Sequence, residues 1–256
     1  MIESTTIHLG DDLVEAYVAR PDESTGSVPL TGVLFFIDAF GLRPRIAEMA
    51  ERIASWGYVV LVPNVFHRYG SVAETSPTGP LTTPEAREEF FRSLMPRLSD
   101  LFSPDQRDQL LGDLRGYVVA LHHVEGVSQR PIGITGYCMG TRLGILTAGE
   151  AGEGVAAVGG FHGGSLVTDA PESPHLALAR ARAEFVFGHA DNDRSNTPDD
   201  IAALERALDD AGLSYRSAVY EGAPHGYTMA DTSSYDERAA ERSFTQLRDL
   251  FARALD

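Results

Sequence analysis

The chain has 256 residues, 43% of them apolar, and a formal net charge of −16, with all 21 basic residues being Arg. That length and apolar content suit one α/β domain with a sizeable core. The acidity argues against nucleic acid and against an anionic membrane surface, which both require a cationic face, although a local Arg pocket could still take a small anion. The N-terminal stretch is acidic, without the apolar core of a signal peptide, and no run approaches the roughly 18 apolar residues of a membrane span. The expectation is a soluble, cytoplasmic protein.

Alternation in Thr6–His8 and Leu13–Val18 around Gly10-Asp11-Asp12 predicts an N-terminal hairpin, followed by a polar turn over Pro21–Pro29. Gly32–Ile37 is a continuous apolar run, as in a strand covered on both faces. After a loop over Asp38–Arg43, apolar residues at helical spacing fill Ile46–Trp56, and Gly57 closes that helix ahead of a buried strand at Tyr58–Val62. Residues 64–83, rich in Gly, Ser, Thr and Pro, form one long loop beyond the carboxyl end of that strand, where parallel sheets bind ligands. Helices are predicted at Pro84–Met95, Asp105–His123, Thr141–Ala148, Pro198–Ala211 and Tyr235–Leu255. Strands are predicted at Ile132–Thr135, Val155–Phe161, Glu184–Gly188 and Tyr215–Tyr220. Strands and helices alternate, which predicts a mostly parallel, doubly wound sheet with helices on both faces and no linker dividing residues 1–256.

Between the strand at 132–135 and the helix at 141 stands Gly136-Tyr137-Cys138-Met139-Gly140, a nucleophile-elbow pattern with Cys in the nucleophile position. The turn is tight enough that a Cβ at either flank would clash, and the helix dipole favours a thiolate. A buried structural Cys is the competing reading, and a single Cys leaves only packing or chemistry, since it cannot form an internal disulfide. Two partners follow in the order of the α/β hydrolases: Asp191, just beyond the strand at 184–188, and His225, just beyond the strand at 215–220. Imidazole would shuttle the proton and the carboxylate would orient the ring. Asp193, two residues further from the strand end, is the second candidate for the carboxylate.

These pieces resemble the dienelactone hydrolase family of α/β hydrolases, over nearly the whole chain. The resemblance rests on FFIDAFGLRPRIAEMAERIASWGYVVLVPNVFHR, GYCMGT, GHADND and GAPHGY, in that order. It implies the α/β-hydrolase fold and a Cys138–His225–Asp191 triad, with an oxyanion hole made by the backbone N–H groups of Met139 and Ala39. Removing one such donor costs about 3–4 kcal/mol in comparable enzymes. The family carries Glu where this chain has Asp38, so Asp38 is a candidate activator of the nucleophile; a helix-capping or loop-bonding role is its alternative. One of the family's two carboxylate-binding arginines follows the catalytic His, but here that stretch runs to Met229 without an Arg. The other would correspond to Arg87 or Arg92. A neutral or bulkier substrate is therefore expected. Further pocket candidates are Phe40, Phe66, Tyr69, Tyr137 and His162, each with core packing as its alternative.

No spacing of His and Cys suggests a metal, and the glycines fit no phosphate-binding loop, so no cofactor is expected. The expected activity is hydrolysis of a small carboxylic ester or lactone through an acyl-thioenzyme, by a monomer or homodimer. A non-hydrolytic cyclase, isomerase or binding protein that keeps the pocket, and a redox-sensing thiol, are the alternatives.

Overall fold

Among the described residues eight strands form one sheet in the order β1-β2-β4-β3-β5-β6-β7-β8. They are β1 Ile2–Leu9, β2 Asp12–Ala19, β3 Gly32–Phe36, β4 Val59–Pro63, β5 Ile132–Tyr137, β6 Val155–Phe161, β7 Glu184–Ala190 and β8 Tyr215–Tyr220. The structure, a computed structural model, describes residues 1–21 and 28–255. The polar turn expected at 21–29 falls largely outside the described residues. β1 and β2 form the predicted antiparallel hairpin, with Gly10 at φ 62° in its turn. β2 runs antiparallel to β4, and β3 to β8 are all parallel.

The continuous apolar runs became the inner strands. β3, β4 and β5 are buried along their whole length, because helices cover both faces there. On one face lie α1 (Pro44–Ala54) and α7 (Glu237–Ala254), joined where Trp56 meets Phe244 edge to face. On the other face lie α4 (Arg107–His123) and α5 (Met139–Ala151). α1 presents Ile46, Met49, Ala50 and Ile53 to the sheet, the stripe its sequence spacing foretold. α6 (Pro198–Asp210) starts at a reciprocal capping box between Thr197 and Asp200.

Two regions depart from expectation. The stretch 64–83 is not one irregular loop. It holds a 3-10 turn at His67–Tyr69 and a short helix, α2 (Val72–Thr75), with its own Ser71/Glu74 capping box. Next, α3 runs from Pro84 to Leu101, six residues past the predicted end at Met95, and carries Pro96 inside it. The helix continues through Pro96, the residue just after the predicted end. Among the described residues no helix is long and apolar enough to cross a membrane.

The chain leaves β3 towards β4 and leaves β5 towards β6, so the two crossovers diverge between β3 and β5. This is the topological switch point, where carboxyl ends of parallel strands open a crevice. The loop Asp38–Arg43 after β3 and Cys138 after β5 both face that crevice.

Candidate active site

Cys138 sits between β5 and α5 at φ 54°, ψ −119°, a conformation that L side chains rarely adopt. The surroundings over-determine it. Its N–H donates to Phe161 O at 3.0 Å, and the Thr141 hydroxyl donates to Gly136 O at 3.0 Å. A Cβ on Gly136 would fall on the Gly140 carbonyl, and one on Gly140 would fall on the Phe36 carbonyl of β3. Both flanking glycines are thus required by close backbone approach.

His225, in the loop after β8, points Nε2 at Cys138 Sγ, 3.0 Å away. Its Nδ1 lies 2.6 Å from Asp193 Oδ2. The other oxygen of Asp193 accepts from the Ser195 N–H at 2.8 Å and the Ser195 hydroxyl at 2.7 Å. Asp191 is elsewhere: its carboxylate accepts from the Gly222 N–H at 2.9 Å. The expected pairing of Asp191 with His225 is therefore corrected to Asp193. Asp191 stands so close to the end of β7 that it is held in place beside the β8 loop, its own N–H donating to Ala223 O. The chain then turns at Asn192, φ 52°, before Asp193 reaches across to the imidazole.

The electrostatics follow from this contact chain. Burial works against charge on His225, but the sulfur and the Asp193 carboxylate outweigh it and raise the ring's pKa to about 10. Burial likewise works against the Asp193 carboxylate, and the hydrogen bonds from His225 and Ser195 overcome it, so its pKa is lowered. The geometry supports an imidazolium beside the sulfur at neutral pH.

A cavity of about 910 Å³ opens in front of Cys138. Of the residues expected in it, Asp38, Ala39, Phe40, Arg87, Met139, His162 and Met229 line it. Met139 is the first residue of α5, so its N–H has no acceptor within the helix. Asp38 lines the cavity but its carboxylate makes no hydrogen bond to the sulfur. Both its carboxylate oxygens are taken by Arg43, at 2.6 and 2.9 Å, and Arg43 in turn binds Asp231 at 2.5 Å. This buried Asp38–Arg43–Asp231 cluster ties the loop after β3 to the segment before α7, and Asp38 also accepts from the Phe40 N–H at 3.2 Å. The expectation of Asp38 as activator of the nucleophile gives way to that of an anchor for the loop.

His162 is fully buried at φ 40°, its Nε2 2.8 Å from the Thr228 hydroxyl and its ring edge-on to His225. Burial, and secondarily the charge on His225, push its pKa far below the ordinary value, so it stays neutral.

Four expected pocket residues lie elsewhere. Tyr137 is stacked within the core between Phe35 and Phe161. Phe66 is buried beneath Arg97 and Tyr69, and the Tyr69 hydroxyl donates to Asp100 at 2.7 Å. Both belong to the 64–83 stretch, which folds away from the crevice instead of over it. Arg92 lies on the exposed side of α3, near Glu88. Arg87, five residues earlier and on another face of the helix, does reach the site and donates to His225 O at 3.3 Å. The sequence reading missed Phe91, Met95 and Leu98 of α3 and Phe102 just after it, which make the apolar wall, and Arg142 and Arg194. The i, i+4, i+7 spacing of Phe91, Met95 and Leu98 was available as a signal; nothing marked the arginines.

The strand order, the switch-point crevice and the strained strand–turn–helix place the protein among the α/β-hydrolase folds. Comparison with known proteins narrows the class. A family model for the dienelactone hydrolase family matches residues 14–255, and the chain belongs to that family of hydrolases. Among its relatives is a carboxymethylenebutenolidase from Rhodococcus opacus, 26% identical over 249 residues, spanning 96% of this chain and 88% of the relative. Similar solved structures include a dienelactone hydrolase-like promiscuous phosphotriesterase from metagenomic libraries (TM-score 0.80, 18% identity, 99% of this chain and 98% of that one). A dienelactone hydrolase from Anabaena variabilis is another (TM-score 0.66, 18% identity, 100% and 99%).

Proposed function

We propose that the protein hydrolyses carboxylic esters or lactones with Cys138 as nucleophile, His225 as acid and base, and Asp193 as the group that orients the imidazole. The observation that carries this is the continuous contact from Sγ to Nε2 at 3.0 Å and from Nδ1 to the Asp193 carboxylate at 2.6 Å, at the floor of a cavity. The Cys138 thiolate attacks the carbonyl carbon, and the backbone N–H groups of Met139 and Ala39 hold the resulting oxyanion. Collapse breaks the C–O bond, and the departing alkoxide takes the proton from His225 Nε2. A water then gives a proton to that nitrogen and attacks the thioester carbonyl. The carboxylic acid is released and the thiolate returns. Thiolate is a better leaving group than an amine, so esters, enol-lactones and thioesters suit this site and amides do not.

Incubation with p-nitrophenyl acetate and with an enol-lactone, for wild type and Cys138→Ala, tests the reading. Turnover that vanishes in the variant supports it. Undiminished turnover in the variant, or ring isomerisation without acid release, overturns it.

A further inference from the structure

His162 stands against the base of the triad and has no task in the reaction above. It borders the cavity but is itself fully buried. Its backbone lies in the left-handed region at φ 40°, and its Nδ1 is buried without a hydrogen-bond partner. Phenylalanine in a relaxed turn would fill the space without the strain or the idle nitrogen, so packing alone does not account for a histidine here.

The surroundings hold this ring in a fixed place. The His162 N–H and the Tyr227 hydroxyl both donate to Gly188 O, at 2.8 and 2.9 Å. The Tyr227 ring stands edge to face with that of His162, the centroids 4.9 Å apart. His162 Nε2 lies 2.8 Å from the Thr228 hydroxyl, and Arg45 of α1 donates to Thr228 O through Nη2 at 2.9 Å and Nε at 3.3 Å. Tyr227 and Thr228 follow His225 in the same loop, so the loop that carries the base folds back to hold the support of that base. His225 needs one. Its contacts with Cys138 and Asp193 run through Nε2 and Nδ1, both in the ring plane, and leave the ring free to rock about the line between them. The His162 ring, 5.3 Å away and inclined by 64°, blocks that motion.

We propose that His162 is a positioning residue: anchored by Thr228, it stops the His225 imidazole from rocking and keeps Nε2 in line with the Cys138 sulfur. The groups that face His225 are Cys138 from the elbow, Asp193 from the loop after β7, His162 from the loop after β6, and Arg87 of α3, which donates to its carbonyl. Burial keeps His162 neutral, so it sets no charge against the imidazolium. The kinetic half of the test rests on the hydrolase reading above; the alkylation half does not.

His162→Phe keeps a ring and loses the bond to Thr228, and Thr228→Val removes the other partner. In each, kcat for p-nitrophenyl acetate should fall by about tenfold to a hundredfold, with KM within about twofold of wild type. The double variant should be within about twofold of the weaker single one, because both changes remove the same anchor. Thr228→Ser retains the hydroxyl and should recover most of kcat. Alkylation of Cys138 by iodoacetamide across pH reads the ion pair without turnover. A rocking base supports the thiolate less, so the alkylation midpoint should rise by about one pH unit in both single variants. An unchanged kcat or an unchanged midpoint overturns the proposal, whatever happens to thermal stability. So does a change confined to KM, which would mark a substrate contact, and so does an equal loss in Thr228→Ser. Should His162→Phe not fold, Thr228→Val decides by the same two readings. If wild type cleaves no ester, the hydrolase reading fails, and the alkylation midpoint still decides the role of His162: a rise supports it, and no rise overturns it.

Discussion

Asp193 and Asp191 are two residues apart, and only one of them meets the imidazole. That Cys138 and the His225 loop meet beyond the strand ends was legible, because a strand–turn–helix of this tightness dictates its glycines. Which Asp turns inward was not legible. It depends on a left-handed residue, Asn192, and on the Gly222 N–H that already occupies Asp191. The two roles separate experimentally. Asp193→Asn should lower kcat by about 10²–10⁴, since the amide no longer fixes the ring tautomer or supports its charge. Asp191→Asn should change kcat less than tenfold, as steady-state kinetics on an activated ester will show. The charge on His225 also links folding to pH. Its pKa is about 10 in the fold against an ordinary 6.5, so the protonated ring stabilises the fold in full below about 6.5 and ceases to do so as pH rises towards 10. Denaturation midpoints across that window should fall more steeply for wild type than for Asp193→Asn; equal slopes would show that the carboxylate does not hold the proton.

Strand β3 and helix α5 are pressed together at Gly140, with no room for a methyl group between them. Gly140→Ala must push the elbow off the Phe36 and Ile37 carbonyls, and a loss of several kcal/mol in denaturant titration, with loss of turnover, is the expected result. The Arg43 cluster is the corresponding joint between loops. Its guanidinium and the Asp38 carboxylate are 3% and 7% exposed, so Arg43→Met leaves a buried carboxylate uncompensated, at a cost of about 3–5 kcal/mol. Removing the charge as well, in Arg43→Met with Asp38→Leu, should restore much of that stability. Nothing in the sequence marked this joint, because Arg43 and Asp231 are 188 residues apart and meet only through the fold. The elements themselves read more easily. Buried runs such as Val59–Val62 and the stripe of α1 announce their environment directly. The end of α3 did not, since Pro96 breaks the local pattern while the helix goes on to bury Leu101. The pocket aromatics were misassigned for a related reason: a polar stretch after a parallel strand suggests a cover for the crevice, whereas 64–83 spends its length on turns of its own.

The whole molecule sets a rigid floor against a thinly anchored wall. The sheet, the elbow and α5 are packed throughout, and all but three of the thirteen residues of α5 are buried. α3 has eighteen residues, and only Leu94 and Leu101 among them are buried, while Phe91 and Met95 stand part-exposed at the cavity. A mostly parallel sheet was legible from the alternation of strands and helices, though its strand order was not; the wall was marked only by the spacing of Phe91, Met95 and Leu98, and just two of its helical residues are buried. Local stability follows the number of buried contacts, so α3 should open far more readily than the body it leans on. Deuterium uptake by amides in 84–101 should outpace that of β3 and β5 by orders of magnitude, and slow when an occupant fills the cavity. The largest molecule admitted to Cys138 would then be decided less by the shape of the empty cavity than by the work of lifting one helix, and tightening that helix should narrow the range of esters accepted without touching the chemistry beneath it.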